Sequence, residues 1–213
     1  MNRSAAVDRI KEGLEFRTGT GQDAVIVSRL QEAQRHLELG RTLPRFLIEE
    51  SATLTVTAGT GEIALPTGFI REVDDEGFHY FDTLEDEWVY LEKMGFNEAR
   101  SRFMEVDASR PRAYVLRKAG VLFYPERDVD YDLTWSYYKA ADLLEADSTE
   151  NVWLLHNPDV LIGYAGWKMA QDLVNAKAAE RFERLYNIAW TGGFAHDLER
   201  ERENDPIYMG GRL

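Results

Sequence analysis

The sequence predicts an α+β fold: an α-helical bundle drawn from both ends of the chain, with an antiparallel β module inserted between them. Three observations carry this. Apolar residues recur at helical spacing through the first fifty positions and again after Lys139. Between those blocks they alternate with polar residues in short runs bounded by turn residues. The two patterns also come in blocks rather than alternating, which separates α+β from a parallel α/β fold. The reading divides the chain into 1–50 (first part of the bundle), 51–138 (β module), 139–203 (second part of the bundle) and 204–213 (extended C-terminal tail).

The N-terminal block starts with Val7, Ile10, Lys11 and Leu14 at helical spacing, ended by Gly19-Thr-Gly21. A second helix is expected from Gln22-Asp23 to Leu39, with Gly40 just past its end. Its apolar stripe is Ile26, Leu30, Ala33 and Leu37, and the opposite face carries Arg29, Glu32, Arg35 and Glu38. One such stripe predicts packing on one side only. Pro44 then forces a turn or a new short element.

In the middle block, Ser51 to Thr57 sets Leu54 and Val56 against Thr53, Thr55 and Thr57. The Ala58-Gly-Thr-Gly61 stretch reads as a hairpin turn returning through Glu62-Ile-Ala-Leu65. Further strands are expected at Phe69 to Val73, Phe78 to Phe81 and Trp88 to Leu91, then a short helix at Asn97 to Met104. A second hairpin joins Ala113–Arg117 to Val121–Tyr124 through Lys118-Ala-Gly120. From Tyr131 to Tyr138, Tyr131, Leu133, Trp135 and Tyr137 share one strand face, and Asp132, Thr134 and Ser136 share the other.

Helical spacing then resumes. Asn157-Pro-Asp159 combines a capping residue, proline at the first helical position and an acid in the first turn. One face of that helix runs through Leu161, Ala165, Lys168/Met169 and Asp172, thickened by Ile162, Gly166 and Leu173. Gly163 and Gly166 admit a close neighbour. The last helix places Ala178, Phe182, Leu185 and Ala189 on one face and pauses at Gly192-Gly193. The run from Asp197 to Asp205 is almost entirely charged, and Pro206 to Leu213 reads as an apolar-then-glycine tail.

The 213 residues carry a net charge of −13, with 44% hydrophobic residues and 12% aromatics. That composition buries a real core, and it disfavours tight DNA binding, which rests on Lys and Arg neutralising phosphates. An acidic surface keeps a protein soluble, and it also suits a wall past which DNA slides. With no cysteine, disulfides and thiolate metal sites are excluded. No apolar run approaches the roughly 20 residues of a membrane span. The N-terminus leads into a charged amphipathic segment rather than a signal-peptide core.

Catalytic and cofactor signatures are weak. Asp128, Asp130 and Asp132 alternate as in a calcium loop, but the sixth and twelfth positions hold Leu133 and Lys139 instead of glycine and an acid. His36, His79, His156 and His196 make no zinc spacing. Gly59-Thr-Gly61 and Gly19-Thr-Gly21 lack the Lys-Ser/Thr of a phosphate loop. The expectation is a non-enzymatic chain with no cofactor and no metal. Two competing readings are a carbohydrate- or receptor-binding module using Tyr131, Trp135, Tyr137, Trp88 and Tyr90, and a hydrolase using the three aspartates.

One succession of motifs is more specific. Leu122-Phe-Tyr-Pro125 is followed by Asp130-Tyr-Asp-Leu-Thr-Trp-Ser-Tyr-Tyr138, Leu143-Leu144, Thr149-Glu-Asn-Val-Trp-Leu-Leu155 and Asn157-Pro-Asp159, and preceded by Leu65-Pro66 and Phe69-Ile70. In this order they resemble the head-to-tail adaptor (connector, tail accessory) proteins of tailed bacteriophages. The resemblance spans about 22–190 and is strongest over 121–165. It implies a virion neck protein, assembled in the host cytoplasm, that forms a homo-oligomeric ring, usually a dodecamer, beneath the portal protein. Genomic DNA then passes through the ring without specific binding, and a downstream tail or stopper protein lies below. No membrane is involved. A portal-docking tail falls on Pro206, Ile207, Tyr208, Met209 and Arg212, and ring-interface helices on Ile26, Leu30, Leu37, Leu161, Ala165, Phe182 and Leu185. Within the same structural class, a neck stopper or head-completion protein is the alternative.

Overall fold

A computed structural model describes the chain except residues 16–19, 41, 60, 74–76, 146–150 and 195–213. The order of elements is α1 (Arg3–Gly13), α2 (Asp23–Glu38), β1 (Ile48–Val56), β2 (Ile63–Ala64), β3 (Phe69–Glu72), β4 (His79–Asp82), β5 (Glu87–Tyr90), β6 (Glu92–Lys93), α3 (Phe96–Phe103), β7 (Ala113–Leu116), β8 (Gly120–Tyr124), β9 (Tyr131–Lys139), α4 (Val152–His156), α5 (Pro158–Asp172) and α6 (Ala176–Ala189). Apart from α3, which lies among the strands, helices and mainly antiparallel strands occur in separate blocks, so the fold class is α+β. The chain divides into two compact units, Ile48–Ala140 and the helical remainder, Met1–Leu47 with Ala141–Leu213.

In the helical unit, α1 starts on Asn2, whose side chain accepts from the Ala5 amide at 3.0 Å. It ends at Gly13, earlier than the Gly19-Thr-Gly21 stretch suggests, and Glu15 follows with φ +58°. The centre of the unit is α5, against which α1, α2, α4 and α6 all pack. Every residue from Val160 to Gly166 is buried. The single stripe expected of α5 is therefore corrected: a helix surrounded by neighbours is apolar all round. The glycines explain the closest neighbour. A Cβ on Gly163 would come within 2.7 Å of the Tyr186 backbone, and one on Gly166 would strike the Phe182 ring. Small residues at these two places let α6 lie directly on α5.

Capping in the segment 151–158 also differs from expectation. Asn157 sits at the N-cap of α5 without a side-chain capping bond. Asn151 does the capping instead, accepting from the Trp153 amide at 2.8 Å, and it starts a short helix, α4, that periodicity did not reveal. Five residues are too few to show a period.

The β unit holds two sheets. One runs β1-β9-β4-β5, with β3 also on β9; the other runs β2-β8-β7-β6. The hairpin expected between β1 and the 62–65 segment does not form. β1 pairs instead with β9, from Ile48↔Tyr138 to Val56↔Tyr131, and β2 pairs with β8. β9 offers a nine-residue partner of matching alternation, whereas β2 offers two residues. The module is mainly antiparallel, as expected, with one short parallel pairing between β6 and β7. The β7–β8 hairpin forms as read.

The core between these strands is aromatic. Phe78 stacks on Trp135 at 4.3 Å and meets Tyr114 and Phe123 edge-on at 4.9 and 5.1 Å. Val56, Tyr80, Leu91, Val121, Leu133 and Tyr137 complete the cluster. The face of β9 that carries Leu133, Trp135 and Tyr137 is thus the inside of the unit.

Candidate interaction surface

The stretch that leads from β4 into β5 puts aromatic rings outside as well as inside. Along β4, Tyr80 and Asp82 are buried while Phe81 is exposed and His79 half-buried. Cross-strand register sets His79 opposite Tyr90 and Phe81 opposite Trp88. These four rings form a ladder: His79 lies 5.2 Å from Tyr90 and 5.4 Å from Trp88, and Trp88 lies 5.4 Å from Phe81. Exposures are 43% for Phe81, 54% for Trp88 and 70% for Tyr90, with Leu84 in the turn at 82%. Apolar rings grouped in this way on a surface mark a place of contact.

The rest of that sheet face is polar. His79 is opposite Thr134 on β9, which is opposite Thr53 on β1, and Thr55 is opposite Asp132. The Thr55 hydroxyl donates to Asp132 at 2.7 Å. The apolar patch is confined to the outermost hairpin. That hairpin is held by Arg110, which pairs with the buried Asp82 and with Glu85 at 2.9 Å. Both carboxylates raise the Arg110 pKa, the Glu85 hydrogen bond most.

A second surface lies on α6. Its inner face buries Ala178 and Phe182, while Lys177, Arg181, Arg184 and the exposed Ile188 follow at spacings that share one flank, roughly a quarter turn round the helix from that face. The cations have no salt-bridge partner among the described residues. The exposed Glu180 and Glu183 stand beside them on the same helix, so the stripe is a local basic surface in an acidic chain.

A cleft of about 840 Å³ in the β unit is lined by Phe69, Arg71, Glu72, Lys93, Tyr114 and Arg117, among others. Its cations are engaged internally. Lys93 pairs with Glu72, Arg117 reaches Glu62 at 3.3 Å, and Arg71 lies 5.0 Å over the Tyr138 ring.

The residues singled out from the sequence fall as follows. Ile26, Leu30, Leu37, Leu161, Ala165 and Phe182 are buried within the chain, and Leu185 is half-buried. These side chains pack the helices against one another within the chain. Pro206, Ile207, Tyr208, Met209 and Arg212, and the acidic run before them, lie outside the described residues. Trp135 and Tyr137 are buried and cannot act as a stacking platform, whereas Trp88 and Tyr90 are exposed. Asp130 accepts from the Ala58 amide at 2.8 Å, and Asp128 accepts from the Tyr131 hydroxyl at 3.1 Å. The Tyr131 pKa is pushed up to about 12, first by burial and then by that bond. Among the described residues no group of three or more His, Asp or Glu side chains is arranged to hold a metal ion, and no helix is long and apolar enough to cross a membrane.

The whole-chain comparison places this architecture. The sequence matches the SU10 adaptor protein family over residues 1–209. The chain belongs to that family. Its members are phage head–tail adaptors, structural proteins of the virion neck that contact other head and tail proteins. The adaptor resemblance carried by the 121–165 motifs is therefore correct at the level of family. No curated protein matches the adaptor.

Sequence reasoning missed the partners of Trp88 and Tyr90 in the ladder, because His79 and Phe81 gain meaning only from register. It also missed the α6 stripe, although the spacing of Lys177, Arg181 and Arg184 was available. Glu38, assigned to the polar face of α2, is buried. It accepts from the Ala141 amide at 3.0 Å and from Gln34 Nε2 and Trp153 Nε1 at 3.1 Å each. Burial raises its pKa and these three hydrogen bonds oppose the rise.

Proposed function

We propose that this adaptor forms a closed homo-oligomeric ring, a dodecamer by family resemblance, beneath the portal protein, joining capsid to tail with genomic DNA passing through its channel. The observation that carries the reading is the family match over residues 1–209. A ring protomer needs two different, complementary faces, and Lys177, Arg181 and Arg184 on the exposed side of α6 support one of them in an otherwise acidic chain. The helices marked by Ile26, Leu30, Leu37, Leu161, Ala165, Phe182 and Leu185 supply the ring contacts through their outer faces. The β module, read from the sequence as 51–138, faces the next neck protein. Pro206, Ile207, Tyr208, Met209 and Arg212 form an extended peptide that seats in portal pockets, and the acidic run before it repels DNA.

The test is the mass of the purified chain alone and mixed with purified portal. Ring formation on the portal, lost on deleting 204–213, is the expected result. A persistent monomer that ignores the portal and binds glycans through Trp88 and Tyr90 replaces this reading with the carbohydrate-binding one. Ring formation only below a completed portal–adaptor assembly favours a stopper.

A further inference from the structure

We infer that the open edge of β5 receives an extended, basic and apolar segment of a different neck protein, added as a further strand over the aromatic ladder. The inference rests on the adaptor reading and deepens it by naming the contact.

Backbone geometry comes first. β5 is the last strand on its side of the sheet, so no strand among the described residues pairs with its outer edge. The Leu91 amide donates to the Phe78 carbonyl at 2.8 Å. In an antiparallel ladder alternate residues bond across to the partner, so Glu87, Val89 and Leu91 face β4. The N–H and C=O groups of Trp88 and Tyr90 point outward, away from β4. Unpaired edge groups are a template for another strand.

The side chains agree with the backbone. Trp88 and Tyr90, which present the outward amides, also carry the two most exposed rings of the ladder. An added strand thus gains main-chain bonds and an apolar floor from the same two residues. Proteins usually protect an edge with Lys, Pro or a bulge. This one has none of these in β5, whose sequence is Glu87-Trp-Val-Tyr90.

Charge selects the occupant. The turn beside the ladder carries Glu85 and Asp86 and β5 opens on Glu87, and of these only Glu85 has an ion-pair partner, Arg110, among the described residues. Lysine or arginine next to apolar side chains satisfies both the acids and the ring faces. A second β5 edge is not the occupant, because edge-to-edge pairing of two copies is isologous whereas the proposed ring is built from unlike faces, and β5 carries no cation to meet these acids.

The experiment places a photo-crosslinking phenylalanine analogue at Tyr90 in the full chain and assembles it into virions by complementation. The expected crosslink is to a Lys- or Arg-containing segment of another neck protein, and it weakens about tenfold with Trp88→Ala, as loss of one aromatic anchor predicts. In solution, the purified chain should bind a seven-residue peptide alternating valine and arginine about tenfold more tightly than its valine–glutamate counterpart, with the preference lost in high salt. A crosslink to another copy of this chain, or none although the chain is present in the particle, overturns the strand-addition proposal and leaves the adaptor reading standing. Particles that lack the chain overturn both.

Discussion

In the helical unit the largest apolar surfaces face inward, and α5 is enclosed so completely that two glycines form its contact with α6. In the β unit the rings are divided. Phe78, Trp135 and Tyr114 fill the interior, while Phe81, Trp88 and Tyr90, a few residues away in sequence, stand outside. The exposed large apolar side chains of the helical unit, among them Leu39, Leu155, Val174 and Ile188, are aliphatic and spread along several elements, and its rings are turned inward. The β unit keeps a reserve of apolar surface on one hairpin. Strand alternation makes this possible, because successive residues face opposite sides and a single hairpin serves a core and a surface at once.

The contrast is sharpest between Phe78 and its exposed neighbours. Phe78→Ala removes a fully buried ring held by three others, and is expected to cost about 3–5 kcal/mol of unfolding free energy in urea titrations. A cost near zero would mean that this aromatic cluster is not the core. In the helical unit the equivalent test is overpacking. Gly163→Leu drives a side chain into the Tyr186 backbone, with an expected loss of about 3 kcal/mol despite leucine's better helix propensity of roughly 1 kcal/mol. A neutral Gly163→Leu would show that α5 and α6 separate easily.

The polar tie in the helical unit should break at intermediate cost. Glu38→Ala leaves the Trp153 indole, the Ala141 amide and Gln34 without their acceptor, at about 2 kcal/mol. The pH dependence has a definite sign. Burial raises the folded-state pKa of Glu38 above its unfolded value, so the folded chain binds the proton more readily. Stability from this group is lost as pH rises from the unfolded to the raised folded value, and is regained on acidification. Measured as wild type minus Glu38→Gln, the difference should therefore grow in favour of wild type as pH falls through that window, and level off below it. A difference that shrinks on acidification would mean that the hydrogen bonds outweigh the desolvation.

Local signals made much of the fold legible. The β7–β8 hairpin could be read because turn residues and alternation are adjacent in sequence, and α2 because its stripe repeats over four turns. What escaped was non-local. Nothing in Ser51–Leu65 says that β1 will prefer β9, some eighty residues away, to its nearest neighbour. Glu38 looks like any surface acid until Trp153 and Ala141 reach it from the other end of the chain. For the candidate surface, Trp88 and Tyr90 were visible as aromatic strand residues, but the same pattern in β9 puts Trp135 and Tyr137 inside. Periodicity assigns residues to two faces without saying which one meets water, and only the strand order decides it.

The smallest expected effect is also the most discriminating. Trp88→Ala removes a large aromatic side chain, the kind of truncation that costs several kcal/mol in a core. At this position the ring is more than half exposed, and its contacts are to His79 and Phe81 at the same surface. Loss of such cross-strand contacts costs about 0.2–1 kcal/mol. Urea midpoints of Trp88→Ala and wild type should therefore nearly coincide while particle assembly falls. If Trp88→Ala destabilises the isolated chain as much as Phe78→Ala does, the ladder is part of the packed core and the division between an inner and an outer set of rings fails. If stability holds and assembly fails, the hairpin's exposed aromatics are kept for a partner, since the fold does not need them.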